Sequence, residues 1–178
     1  VDRDRSAELR IPTIAIPVRI AIVCDRPEGL AIEQAELFVA DAPRRGRSQM
    51  LDDLAELLDA PLTFVPVRIG GTVRLVAKSS ILCVAIRRRD PDALPSTEFP
   101  DEPSEVLMLY DRQHRVEIEL LHGSKLEGLL LDSSPADRPR AIDHLNHAVH
   151  FIRLWTQQEH VLINKAQIVA VTELPEVE

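Results

Sequence analysis

The sequence predicts an α+β fold, rich in strands, built as a tandem duplication of a ββαβββ small-barrel-like unit. Three observations carry that reading. LVAKSSILCV (75–84) and LINKAQIVAV (162–171) share four of ten positions, and most of the others exchange small or aliphatic side chains. AELFVADAP (35–43) matches LEGLLLDSSP (126–135) with one residue added. After each comes the same helical pattern, Met50, Leu51, Leu54, Leu57 and Leu58 against Ala141, Ile142, Leu145, Ala148 and Val149. That spacing lines one apolar face of an amphipathic helix. Self-similarity on this scale is the signature of a repeated structural unit.

The elements follow in chain order. Residues 1–17 read as an N-terminal arm and 18–87 as the first repeat domain. Within it, TFVPVRI (63–69) has strand-like order, and Gly70-Gly71 suits a tight hairpin. RRRDPDALPSTEFPDEPSE (87–105) holds four prolines and no periodicity, which makes 88–104 a Pro-rich linker. The second repeat domain spans 105–178. HRVEIELLH (114–122) alternates as a strand, with Val116, Ile118 and Leu120 on one face. His122-Gly123-Ser124 turns the chain, and Lys125–Leu131 returns it. Asp137 serves as N-cap for a helix over about 138–149. Strands near 151–156, 160–164 and 167–173 complete the unit. Sheets this small must curl or pack together to hide their apolar face.

Composition bounds the function. The chain has 178 residues, 45% hydrophobic and 28% charged, a globular balance. No apolar run reaches the roughly 20 residues of a membrane-spanning helix. The opening VDRDRSAELR lacks a signal-peptide core, so a cytoplasmic protein without membrane contact is expected. Cys24 and Cys83 sit among aliphatics, where cysteine behaves as a small hydrophobe. Residues 1–92 carry 14 basic and 14 acidic groups; residues 93–178 carry 7 and 15. An acidic half repels phosphate backbones, and 3% aromatics offer few stacking platforms, so the balance weighs against nucleic acid.

VEIELLHGSKLEGLLLDSS and FIRLWTQQEHVLINKAQIVAV resemble the two motifs of the Sm-like family, whose members include bacterial Hfq. The first motif is an alternating strand, a glycine turn and a strand with Leu-x-Gly. The second is a short strand ending near a lysine, followed by an Ile-Val strand. The first repeat shows the second motif and a blurred first one. The resemblance implies a small barrel that assembles through its strand edges. It also implies RNA binding through basic groups and a Lys-His pair at the last turn. In this chain Lys165 is followed by Ala166 and Lys78 by Ser79, so the lysine stands without the histidine. The family's helix precedes its first strand, whereas here it follows the second.

Few constellations suggest chemistry. His144, His147 and His150 lie within about 120° on one helix face, a weak metal-binding candidate. The matching positions of the first repeat are Asp53, Glu56 and Asp59, so a polar helix face, or contact between the two faces, explains them without a metal. No phosphate loop, dinucleotide turn or nucleophile elbow is present, and no cofactor is expected. Arg44, Arg45 and Arg47, together with Arg87, Arg88 and Arg89, form two basic clusters for solubility or for an acidic partner. With Lys78 and Lys165 they are also the RNA-contact candidates. The final strand, QIVAVTELPEVE, carries no charge before Glu173, so its edge is poorly guarded. Ile168, Val169 and Val171 are therefore expected to pair with a second subunit or a protein partner, whereas three arginines guard SILCVAIRRR. The leading expectation is a non-enzymatic protein-interaction or assembly module. The alternatives are an Sm-like RNA-binding protein and a metal-dependent sensor or enzyme.

Overall fold

A computed structural model describes residues 13–24, 29–40, 47–87, 112–132, 145–146 and 149–175. Strands β1 (Thr13–Val23), β2 (Leu30–Ala40), β3 (Phe64–Ile69), β4 (Thr72–Ala77) and β5 (Ile81–Arg87) form the first half, with helix α1 (Arg47–Asp59) between β2 and β3. The second half holds β6 (Arg112–Leu120), β7 (Lys125–Asp132), β8 (Phe151–Trp155), β9 (Glu159–Asn164) and β10 (Ile168–Glu173). All ten strands belong to one antiparallel sheet, in the order β10-β6-β7-β8-β9-β5-β1-β2-β3-β4. In each half the spatial order is therefore fifth, first, second, third, fourth. The fold is β-rich with one described helix.

Local chemistry accounts for the elements. Gly70 and Gly71 both take positive φ, at 55° and 81°, which the two-residue hairpin between Ile69 and Thr72 requires. Gly128 is demanded by packing: a Cβ there would lie 2.3 Å from the Trp155 carbonyl oxygen, where β7 meets β8. Along α1, Leu51, Leu54, Ala55 and Leu58 are buried, with Met50 and Leu57 packed beside them, as the apolar spacing predicts. On β6, Val116, Ile118 and Leu120 are buried on one face.

The N-terminal arm is shorter than expected, because β1 already begins at Thr13. Ile14 and Ile16 pair with Val39 and Leu37 of β2 and extend the apolar face. Pro17 is tolerated because β5 pairs with β1 only over Arg19–Ile22, leaving one side of β1 open at the proline. Arg44, Arg45, Arg88, Arg89, His144, His147, Asp137 and the linker lie outside the described residues, as does most of the expected second helix.

Two cores fill the structure, and each borrows from the other half. The first gathers Ile20, Leu37, Leu54, Leu58, Val65 and Val84 and takes in Phe151 and Leu162 of the second half. The other gathers Ile118, Leu130, Leu154 and Ile163 and takes in Ala21, Leu82, Cys83 and Ala85 of the first. Leu145 packs against this second core, as Leu54 packs in the first.

Candidate functional site: the joint between the halves and the open strand edges

The halves meet where β5 pairs with β9, in the register Cys83↔Ile163, Val84↔Leu162, Ala85↔Val161, Ile86↔His160 and Arg87↔Glu159. This corrects one expectation. The arginines ending SILCVAIRRR do not keep that edge open; Arg87 stands at its end opposite an acidic residue. Charge on an edge guards against unlike neighbours only when the facing strand offers no countercharge. Here Arg19 of β1 reaches across to form a two-pronged ion pair with Glu159, its Nε lying 3.0 Å from Oε1.

Polar side chains close the ends of the joint. Asn164 is buried, and its amide nitrogen donates to the carbonyls of Ile81 (2.9 Å) and Lys78 (3.2 Å), while its oxygen accepts from the Ala166 N–H at 3.0 Å. Gln167 donates to the Ser79 carbonyl at 2.8 Å. Two short 3-10 turns, Lys78–Ser80 and Lys165–Gln167, are thereby tied together. Helix α1 crosses the same boundary. The Asp59 carboxylate accepts from the N–H groups of His150 (2.7 Å) and Phe151 (3.1 Å), and Asp52 pairs with Arg153. Sequence reasoning missed Arg19, Asn164, Glu159 and Gln167. The one available signal was Asn164, a polar residue closing an apolar strand where the first half has Ala77.

The remaining candidates fall into place individually. Lys78 donates its ammonium to the carbonyls of Leu58 (2.8 Å) and Ala60, capping the end of α1. Lys165 opens the other turn, its N–H bonded to the His150 carbonyl at 2.9 Å. His150 is exposed and meets the first half through its backbone. The expected helix face does not reach His150, which sits in a bend directly before β8, so its contact with Asp59 joins the end of α1 to the start of that strand rather than two helix faces. Arg47 begins α1, and Arg87, which ends β5, is exposed. Among the described residues no group of three or more His, Cys, Asp or Glu side chains is placed to hold a metal. No helix among them is long and apolar enough to cross a membrane. Burial pushes the Cys83 thiol up to about 11, so at neutral pH it is a protonated core side chain rather than a nucleophile.

An open groove of about 700 Å³ runs beside Trp155 and Gly128. Two of its charged lining residues, Arg115 and Glu127, pair with each other, and a third, Lys125, bonds Glu117 at 2.7 Å. A fourth charged lining residue, Glu159, is the partner of Arg19.

Among the described residues nothing pairs with the outer edge of β10 at one end of the sheet or of β4 at the other. Along β10, Ile168 and Val171 are half-buried and pack on the second core, while Val169 is exposed. The β4 edge exposes Thr72, Val73, Arg74 and Leu75 in succession. The sequence pointed to β10 and did not point to β4. The chain matches no family model, no curated protein and no solved structure.

Proposed function

We propose that the chain is a non-enzymatic assembly module, made of two repeats of one small β-barrel-like unit that join other polypeptides through their strand edges. The observation that carries this reading is the β5–β9 joint. Edge pairing, core exchange and an ion pair already couple one unit to the next within the chain. Among the described residues the same kinds of edge are then left unpaired at both ends of the sheet. An open edge presents a row of backbone donors and acceptors that natural proteins cover, guard or use. Neither β4 nor β10 contains a proline, and β10 carries its one charge at its last residue, Glu173.

The repeat is supported by matched details beyond strand order. Leu82 and Val169 occupy the same place in the fifth strand of each half, and each is skipped in the pairing with the half's first strand. Lys78 and Lys165 each open a 3-10 turn, and each donates its N–H at 2.9 Å to the residue preceding the third strand, Thr63 or His150. Such bulges and turns are placed by local sequence, so their recurrence argues for one unit written twice.

The test is the size of the native complex. Extracts of the cell that makes the protein should contain it in a species well above the 20.0 kDa of one chain. A Leu75→Lys, Val169→Asp double variant, altered at two exposed edge positions, should run as a single folded chain. A wild-type protein found at 20.0 kDa both in extracts and when purified would overturn the reading.

A further inference from the structure

We infer that the partner of these edges is a second copy of this same chain, with β10 of one copy pairing with β4 of the next in the register of the β5–β9 joint. This rests on the assembly reading above and names its partner. Counting each half from its lysine turn, Lys78 or Lys165, places β4 at the position of β9 and β10 at the position of β5. The joint then transposes residue by residue. Cys83↔Ile163, Val84↔Leu162, Ala85↔Val161 and Ile86↔His160 become Ala170↔Val76, Val171↔Leu75, Thr172↔Arg74 and Glu173↔Val73.

Burial at the equivalent positions says which surfaces lack their cover. Leu162 is 0% exposed inside the joint, whereas Leu75, its counterpart on the open edge, is 73% exposed. Leu82 is 1% exposed, whereas its counterpart Val169 is 56% exposed. Phe151 is buried in the first core, whereas its counterpart Phe64 is an exposed aromatic. Three large apolar side chains thus stand in water where their equivalents are core, and all three lie on the two outermost strands of one sheet end or on the last strand of the other. In the transposed joint Leu75 lies over Val171, a side chain already packed on the second core. Leu162 enters the first core beside Val84 in the same way. Scattered exposed apolar residues need no explanation, but a set matching a built interface position by position does.

Charge agrees. Arg74 comes opposite Thr172, which pairs with Glu117 of β6, a carboxylate that Lys125 already bonds and that Arg74 would share, and Glu119 stands two residues further along that strand. Two strand spacings separate the backbones of Arg74 and Glu117 by about 10 Å, within reach of the two extended side chains. The second half is the acidic one and the first is neutral, so head-to-tail contact joins an acidic end to an end bearing an arginine. The contact is heterologous: one copy's β4 meets the next copy's β10. Such contacts close into rings or extend into filaments according to the rotation per step.

The experiment uses the purified full chain. Sedimentation at tens of micromolar should give a mass that is a multiple of 20.0 kDa. Leu75→Lys alone and Val169→Asp alone should each weaken self-association roughly tenfold or more, with circular dichroism and melting temperature kept near wild type. Register is tested by pairing Val73→Cys with Glu173→Cys in a Cys24→Ser background. Directly opposed residues have Cα atoms about 4.5–5.5 Å apart, so mild oxidation should yield disulfide-linked multiples of the chain. Leu75→Cys with Glu173→Cys, offset along the strand to about 7–8 Å, should not link. A purified wild type that stays monomeric, or an assembly indifferent to both edge variants, or linking by the offset pair alone, overturns the inference. If edge variants still shrink the complex in extracts while the purified chain is monomeric, this inference falls and the assembly reading stands.

Discussion

Replacing Asn164 with alanine should loosen the joint between the halves. The side chain is buried and makes three hydrogen bonds, two donated to Ile81 and Lys78 and one accepted from Ala166. A typical hydrogen bond contributes about 0.5–1.5 kcal/mol net, and a buried group left without its partner costs about 1–3 kcal/mol. The Ile81 bond is buried, while the Lys78 and Ala166 bonds are part-buried and open to replacement by water. One full penalty and two partial ones place the loss at about 2–4 kcal/mol. Ala77 occupies the equivalent position on the open β4 edge, so alanine itself is compatible with the turn. Asn164→Ala therefore removes the tie between halves together with one cap bond that the turn at Ala77 does without. Urea unfolding reads the result: the midpoint falls while the slope stays constant. Gln167→Ala removes one exposed bond of the same tie and should cost under about 1 kcal/mol. A loss below about 1 kcal/mol for Asn164→Ala would refute the idea that this amide holds the halves together.

Lys78→Met should fray the end of α1 and cost about 1–2 kcal/mol, because a cation bonded to terminal carbonyls is lost; helix-specific hydrogen exchange near Leu57–Ala60 checks it, and unchanged protection would contradict it. The Cys83 thiol has its pKa raised by burial to about 11 from an ordinary value of 9.0, so the stability it contributes is complete below pH 9 and is lost as pH rises toward 11. A Cys83→Ala variant should show a shallower loss of melting temperature across that range, and parallel curves would count against the burial. Single-stranded RNA should bind no more tightly than about micromolar at low salt. Tighter, salt-sensitive binding abolished by Lys165→Ala or Arg87→Ala would favour the RNA-binding alternative.

Periodicity and turn chemistry are local properties, and they were legible in the chain itself. Alternation at Val116, Ile118 and Leu120 marked a half-buried strand, and the spacing of Leu51, Leu54 and Leu58 marked one buried helix face. Gly70-Gly71 marked a hairpin that only positive φ can make. The weakly guarded final strand was legible for the same reason, since guarding charges are counted along a single stretch. The pairing of β5 with β9 was not. It brings Arg87 opposite Glu159 and Arg19 onto the same carboxylate, residues remote in sequence whose meeting no window of the chain can register. Asn164 drew no reading from the chain, and only its bonds to Ile81 and Lys78 make it a buried tie. Leu75 and Leu162 open matching phrases and look alike in the chain. Tertiary structure separates them, because one lies beneath a neighbouring core and the other on an open edge.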